Sequence, residues 1–281
     1  MNKVVLWEKE IEKDLVKVSE NHLDDFLELI KFIRKNGIID EICESTFVRA
    51  ELWEWLVSKD IIELNDIKRE LSKCLERARR IEERAFDDLF GKMGRELDVK
   101  VFVLSFKEES VYYISTISEY YIGIRSYLST EKKNDFCNDL QECFPNIFFS
   151  EKINTTVNTL NRKFEDIREE IVEHLIHINN YHPKFLAMLE QHKSYQEIAQ
   201  QFTVDTRIDC SPQAGRKNVQ ELRETQTNEV TGQEETVVCE LHTKFKTFNA
   251  DREKRDRIYF FPGKQGIQEG RIIVKHIGKH L

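Results

Sequence analysis

The sequence predicts an α+β protein in which a large all-helical N-terminal domain, residues 1–202, precedes a small domain with an antiparallel sheet, residues 203–281. Glycine and proline are rare, at 10 and 4 of 281 residues, so long helices with short connections are expected. Apolar residues recur at steps of three and four up to about Phe202 and alternate with polar residues beyond it. This change of period marks the expected domain boundary.

Three helices are predicted in the first part of the helical domain. The first ends at Asn36-Gly37, a pair typical of a left-handed C-cap. The second covers residues 62–90, where steps of four and three indicate a weak coiled-coil seam, formed by Ile67, Leu71, Cys74, Ala78, Ile81 and Ala85. The third covers residues 99–129, which are dense in apolar and aromatic side chains, and is expected to be the central core helix.

Two more helices complete the predicted helical domain. Ser150 can cap a long helix that ends near residue 178, because Asn179, Asn180 and Pro183 follow. A last helix runs from Pro183 to about residue 202.

The small domain is predicted from alternating apolar and polar residues. Strands are expected over residues 203–210, 235–248, 257–261 and 271–277. The connections between the last three are short, which favours an antiparallel meander. Residues 216–234 are open to two interpretations, a short helix or a loop.

The charge of the chain is uneven. The net charge is −8, yet residues 242–281 contain ten Lys or Arg and four Asp or Glu. A cationic end on an anionic chain suggests either that this end meets a polyanion or that it docks on the rest of the protein. Both interpretations stay open here.

Several classes of protein are not supported by the sequence. Apolar runs are too short to cross a bilayer and no signal peptide is evident, so a cytoplasmic protein without a membrane partner is expected. The six cysteines form no C-x-x-C pair and are expected to be reduced thiols. Nucleotide- and dinucleotide-binding motifs are absent, and no cofactor is expected.

Reactive side chains concentrate on the predicted meander. Alternation places Glu240, His242, Lys244 and Lys246 on one face of its first strand, and Arg257 with Tyr259 on one face of its second. His276 falls on the apolar side of the third strand, with Ile272 and Val274. The candidate catalytic residues are His242, Lys244, Arg257, Tyr259 and His276, and the candidate nucleic-acid-binding residues are Lys246, Arg271, Lys275 and Lys279.

This set contains what RNA cleavage without a metal requires: a general base, a general acid and cations that stabilise developing negative charge. The alternative is structural. An exposed strand is often charged simply to stay solvated and to protect a sheet edge, and His276 can be a hydrogen-bonded core histidine.

A zinc site is a further alternative. Cys239, His242, His276 and His280 could supply four ligands. Positions 239 and 242 point to opposite faces of a regular strand, however, and no metal is expected. A second set, formed by His174, His177 and His182, lacks the thiolate or carboxylate ligand that would strengthen it.

Residues 239–244 (CELHTK), 257–260 (RIYF) and 271–280 (RIIVKHIGKH) resemble the C-terminal meander of RelE-type ribonuclease toxins. The resemblance implies a small sheet that cleaves messenger RNA without metal, with Arg257 and Tyr259 contacting phosphate and with His276 and Lys279 at the variable acid/base end. That family has two helices between its first and second strands, whereas residues 210–235 have room for little more than one. A large helical domain is also foreign to it.

The leading hypothesis is therefore an RNA-binding, metal-independent endoribonuclease in a bacterial toxin or antiphage-defence setting, with RNA or the ribosome as partner. The rival is a non-enzymatic subunit of a defence or regulatory complex, whose helical domain binds a protein partner through the predicted seam. DNA binding by the same cationic end is a third possibility.

Overall fold

The structure is a computed structural model that describes residues 2–7, 11, 14, 17, 19–36, 41–45, 49–58, 62–76, 78–95, 99–107, 110–128, 132–213, 220–246 and 255–281. Contacts divide the chain into two compact units, Met1–Leu128 and Ser129–Leu281. The division falls after residue 128, whereas the sequence led us to expect a boundary after residue 202.

The first unit is built on a parallel sheet. Its five strands lie in the order β3-β2-β1-β4-β5 and are β1 (Asn2–Trp7), β2 (Glu41–Ser45), β3 (Arg79–Ile81), β4 (Val99–Leu104) and β5 (Tyr113–Ile114). The chain from Val101 to Leu104 is continuously apolar and buried, as is typical of a parallel strand covered on both faces.

The helices of the first unit connect these strands. They are α1 (Glu20–Asn36), α2 (Arg49–Val57), α3 (Asn65–Leu75), α4 (Glu83–Lys92) and α5 (Ile117–Ser126), with a 3₁₀ turn at Ile62–Leu64. α1 ends at Asn36, as predicted. Thr116 and Glu119 form a capping box at the start of α5, which fixes where that helix begins.

The prediction of an all-helical N-terminal domain is wrong. Residues 99–129, expected to be one core helix, form β4, β5 and α5, because a short apolar run fits a buried strand as well as a buried helix. Residues 62–90 form α3, β3 and α4 instead of one helix, so the predicted coiled-coil seam is interrupted by a strand. A protein-binding surface cannot rest on that seam.

Tyr127 ties the end of α5 to β4. Its hydroxyl donates to the Val101 carbonyl at 2.8 Å and accepts from the backbone N–H groups of Val101 at 3.1 Å and Gly94 at 3.0 Å. We expect Tyr127→Phe to lower the free energy of unfolding by about 2–3 kcal/mol, because buried backbone groups lose their partner. Urea unfolding followed by tryptophan fluorescence measures this in the first unit, which contains all three tryptophans, Trp7, Trp53 and Trp55.

Tyr112→Phe is the matched control. The Tyr112 ring lies 4.8 Å from that of Tyr127, centroid to centroid, and its hydroxyl makes no hydrogen bond with a described residue. It should cost less than about 0.5 kcal/mol. Equal losses in the two variants would contradict the role given to the Tyr127 hydroxyl.

The second unit contains a mixed sheet and a separate ribbon. The sheet has the order β6-β12-β11-β10-β7, and only β6 and β12 pair in parallel. Its strands are β6 (Ile147–Phe149), β7 (Cys210–Pro212), β10 (Leu241–Lys244), β11 (Arg257–Phe261) and β12 (Ile272–Gly278). The ribbon pairs β8 (Arg223–Thr227) with β9 (Glu234–Val238).

Four helices accompany this sheet: α6 (Lys133–Cys143), α7 (Ile153–Val157), α8 (Phe164–Glu190) and α9 (Tyr195–Thr206). α8 packs on the sheet through contacts such as Phe185 with Phe260, whose ring centroids are 5.7 Å apart. The helices expected in a separate N-terminal domain therefore belong to the unit that contains the sheet. Residues 203–206, predicted as strand, are the last turn of α9.

α8 continues through Pro183, where the sequence predicted a helix end. A proline has no N–H, so the carbonyl four residues earlier, that of Asn179, loses its helical partner. The Asn146 side chain donates to this carbonyl at 3.2 Å, and the Asn179 side chain accepts from the Asn146 backbone N–H at 3.0 Å. Asn146, which lies outside the helix, thus gives the Asn179 carbonyl the hydrogen bond that Pro183 cannot make.

No helix in the described ranges combines the length and the hydropathy that crossing a bilayer demands.

Candidate active site

Three neighbouring strands bring four predicted catalytic side chains together. His242 lies on β10, Arg257 and Tyr259 on β11, and His276 on β12. His242 is paired across the strands with Tyr259, and Tyr259 with His276. Paired residues share a face of the sheet, and the four are called the His–Arg–Tyr cluster below.

A β-bulge places His276 in this cluster. Tyr259 pairs with His276 but Phe260 pairs with Val274, so Lys275 is an extra residue in β12. An extra residue reverses the alternation of side chains beyond it. The sequence-based placement of His276 on the apolar side, with Val274, is therefore wrong: His276 shares a face with Tyr259.

Hydrogen bonds and ring contacts join the members of the cluster. One terminal nitrogen of Arg257 donates to His242 Nε2 and to the Tyr259 hydroxyl, each at 3.3 Å. The Ser211 hydroxyl lies 3.2 Å from the same histidine nitrogen. The Tyr259 ring centroid is 4.9 Å from that of His242 and 5.6 Å from that of His276.

Arg257 is a buried cation with neutral partners. Its residue surface is only 8% exposed, and no described carboxylate lies within ion-pair distance of it. Its Nε is buried and makes no hydrogen bond with a described residue. A buried charge without a counter-ion is costly.

Both histidines of the cluster are neutral at physiological pH. Burial lowers the pKa of His242 to about 3, helped by the charges of Arg257 and Lys244 and opposed by the nearby Glu240 carbonyl. Burial also lowers the pKa of His276 to about 4. A guanidinium only donates, so the Nε2 of neutral His242 carries the lone pair.

The last residues of the sequence, 279–281, cover the cluster and are called the cover segment. The Leu281 N–H donates to the Tyr259 hydroxyl at 3.2 Å, and Gln213 donates to the Leu281 carbonyl at 3.3 Å. His276 Nε2 lies 2.9 Å from the Lys279 carbonyl, to which it must donate. All four cluster side chains are buried.

Gly278 allows the cover segment to begin close to the helical part of the unit. A Cβ at this position would overlap the Thr159 hydroxyl and lie 2.6 Å from the Thr156 carbonyl. The Thr159 hydroxyl also accepts from the Lys279 N–H at 3.3 Å. Any larger residue at position 278 would displace this contact.

The remaining predicted residues are dispersed. Lys244 and Lys246 line an open pocket at the end of β10, and exposed Lys279 belongs to the cover segment. Lys275, the extra residue of the bulge, is largely buried and forms an ion pair with Glu224. This ion pair joins β12 to the β8–β9 ribbon. Arg271 lies over the Phe148 ring at 5.9 Å and bonds Gln268. The structure therefore does not bring Arg271 or Lys275 to the cluster.

The described residues hold no group of three or more side chains arranged to bind a metal. Cys239 donates to the Ile273 carbonyl at 3.8 Å and is fully buried, which raises the pKa of its thiol well above the usual range. His174 Nδ1 lies 3.0 Å from the Thr243 hydroxyl. Cys239 and His174 are thus bonded within the core, and neither belongs to a group of described side chains that could bind a metal.

Ser211, Gln213 and Thr159 also surround the cluster, and the sequence analysis missed them. Ser211 lies in β7, and Gln213 follows this strand directly. The sequence predicted the strand over residues 203–210, so it did not indicate that Ser211 pairs with β10. Thr159 lies in a loop with no periodic signal. Gly278 was the one available indication that the chain passes close to a neighbour there.

Comparison of the chain with models of protein families, with curated proteins and with solved structures finds no significant match.

Proposed function

We propose that the second unit binds RNA and cleaves it without a metal at the His–Arg–Tyr cluster. The observation that supports this most is Arg257, a buried guanidinium that has no anionic partner in the described structure and stands between two groups of acid/base chemistry, His242 and Tyr259. A phosphodiester would supply the missing negative charge. The toxin or antiphage-defence setting and the ribosome as partner rest on the family resemblance, whereas the proposed cytoplasmic location rests on the short apolar runs of the sequence.

In the proposed reaction Arg257 turns from His242 to the bound phosphate, and the lone pair freed on His242 Nε2 takes the proton of the ribose 2′-hydroxyl. The 2′-oxygen forms a bond to phosphorus while the bond from phosphorus to the 5′-oxygen breaks. Arg257 and the Tyr259 hydroxyl stabilise the charge on the non-bridging oxygens. The Lys279 ammonium gives a proton to the leaving 5′-oxygen, so the products are a 2′,3′-cyclic phosphate and a 5′-hydroxyl.

The order of elements in the second unit supports the resemblance on which this proposal draws. Three helices, α7, α8 and α9, lie between β6 and β7, the first two strands of the sheet in the chain, and α8 and α9 are the two longer ones. The RelE-type resemblance implies two helices at this point, for which the residues after 210 had no room. The first strand was missed because it is a three-residue segment in a region predicted as helical.

This mechanism requires Leu281, the end of the cover segment, to move away from Tyr259 while Lys279 stays beside the cluster, and the Leu281 N–H tests this movement. We expect Leu281→Pro, which removes the donor to Tyr259, to raise the rate of RNA cleavage several-fold over Leu281→Ala, which keeps that donor. Purified protein is incubated with RNA, alone and with ribosomes, in the presence of EDTA. Products are identified by their cyclic phosphate ends.

Modification of His242 and His276 by diethyl pyrocarbonate, read by mass spectrometry, is the second measurement. It should be faster in Leu281→Pro than in Leu281→Ala, because the imidazoles become accessible. Faster modification without any cleavage would contradict the nuclease proposal. Equal modification of both variants would show that the cover segment does not control access to the cluster.

The burial of the cluster favours a second candidate, the non-enzymatic subunit. All four side chains are less than a tenth exposed, as expected if they only join three strands. In that case His242→Gln, Tyr259→Phe and His276→Gln would lower stability but leave biological activity intact at permissive temperature. Loss of activity in variants of unchanged stability would exclude this candidate.

A further inference from the structure

An open pocket of about 630 Å³ lies where the chain leaves the sheet at the end of β10. Its walls are the turn from α9 to β7, the end of β10 and one face of α8. A volume of this size is typical of pockets that bind small charged groups or small ligands. Its charged lining consists of Arg207, Lys244, Lys246 and Arg255 with Glu173 and Asp209.

Asp209 orders two of the four cations. Its carboxylate oxygens contact Lys244 Nζ at 3.1 Å and an Arg255 terminal nitrogen at 3.3 Å. Both cations are only about a quarter exposed, so they are held in place at the wall. Asp209 cannot also neutralise the rest of the pocket.

The other two cations outnumber the one remaining carboxylate of the lining, that of Glu173. Arg207 and Lys246 are exposed, and neither side chain forms an ion pair with a residue that the structure describes. Buried His174, on the same wall, adds no charge, since burial lowers its pKa to about 3. The pocket therefore carries an excess of positive charge in a concave site, which raises the local concentration of anions.

Lys244 connects this pocket to the cluster. It lies two residues from His242 on the same face of β10, about 7 Å along the strand, and it pairs across the sheet with Arg257. Because Arg257 and Lys244 are direct cross-strand partners, phosphates held at the two residues would be neighbours along a single strand. A chain with a phosphate at Arg257 would thus bring its next phosphates to the pocket.

We propose that the pocket formed by Arg207, Lys244, Lys246 and Arg255 binds a backbone phosphate of single-stranded RNA, next to the phosphate held at Arg257. This inference rests on the proposed function and extends it to the substrate's neighbouring nucleotide. A concave site with convergent cations fits one phosphate at a time, whereas an acidic protein surface would need a broader basic face. The flexible single strand can enter where a rigid duplex cannot.

The test uses the full chain and an RNA that cannot be cleaved. A fluorescein-labelled, 2′-O-methylated single strand of about 12 nucleotides is titrated at several salt concentrations and followed by anisotropy. We expect Arg207→Ala/Lys246→Ala to weaken binding about tenfold at low salt and to reduce the slope of log K against log salt by about 0.7, the value for one lost phosphate contact on a single strand. The control, Lys152→Ala/Lys193→Ala, removes two exposed charges outside the pocket and should leave both values unchanged.

Several outcomes would overturn the inference. Equal weakening in the two double variants would mean diffuse attraction, and equal affinity for duplex DNA would remove the assignment to single-stranded RNA. Displacement of the strand by inorganic phosphate at its own low-millimolar affinity, with no preference for the RNA, would make the pocket a site for free phosphate. The 2′-O-methyl probe separates this inference from cleavage: a pocket-dependent slope in a protein that never cleaves unmodified RNA upholds the pocket and rejects the nuclease proposal.

Discussion

Replacement of Arg257 by methionine is expected to make the second unit more stable and to abolish RNA cleavage. Removing a buried charge that has no described counter-ion relieves its desolvation, and an apolar side chain of similar length fills the same space. We expect a gain of about 1–3 kcal/mol in the free energy of unfolding. Loss of the charge that stabilises the transition state should lower the cleavage rate by about 10²–10³-fold.

Two variants serve as controls for this prediction. Arg257→Lys keeps the charge but not the planar fork, so it should gain no stability and should still cleave poorly. Arg223→Met removes an exposed arginine of the same unit and should change stability by less than about 0.5 kcal/mol. If Arg257→Met instead destabilises the protein and leaves activity intact, Arg257 is a structural residue that joins β10 to β11.

Acid should destabilise the second unit at unusually mild pH. His174 and His242 have pKa values lowered to about 3 and His276 to about 4, against about 6.5 in the unfolded chain. Below pH 6.5 the unfolded state binds protons at these histidines while the folded state does not. The free energy of unfolding is therefore at its full value above about pH 6.5 and falls as the pH drops, by about 1.4 kcal/mol per pH unit for each histidine.

Hydrogen exchange of the amides of β10, β11 and β12, measured by mass spectrometry and corrected for intrinsic rates, reads this loss within the second unit. Tryptophan fluorescence cannot, because the three tryptophans precede residue 129. His276→Gln, which keeps a donor for the Lys279 carbonyl, should flatten the pH dependence by one histidine. Exposed His192, in a left-handed conformation that asparagine tolerates, provides the control His192→Asn, and an equal flattening there would contradict the assignment.

The sequence predicted the strands around the cluster more accurately than the rest of the fold. β11 occupies the expected residues, and β12 begins one residue late, because β-branched and aromatic residues alternate there between turns. The parallel sheet of the first unit was missed. Its strands are short or continuously apolar, so they lack the alternation of apolar and polar residues that predicts a strand. The helices between them gave the whole region a helical period.

The sequence predicted which residues form the candidate site, but not which residues surround and bury them. Alternation along β10 and β11 correctly grouped His242 with Lys244 and Arg257 with Tyr259. Alternation gave the wrong face for His276, because a bulge does not change the local pattern of apolar and polar residues. It also gave no indication that residues distant in the sequence would bury the cluster. Pro183 was misread for a related reason: the partner that relieves it, Asn146, lies far away in the chain.

The bulge at Lys275 also affects how kinship could be recognised. In a strand of the same length without the bulge, His276 would share a face with Val274 and point toward the helices. Deletion of Lys275 alone would restore a regular strand and keep the imidazole opposite Tyr259, because Phe260 would still pair with Val274. An alignment with a gap at Lys275 would therefore match the position beside Tyr259 correctly in a chain that lacks the bulge, whereas an ungapped alignment would match it with a side chain that faces the helices.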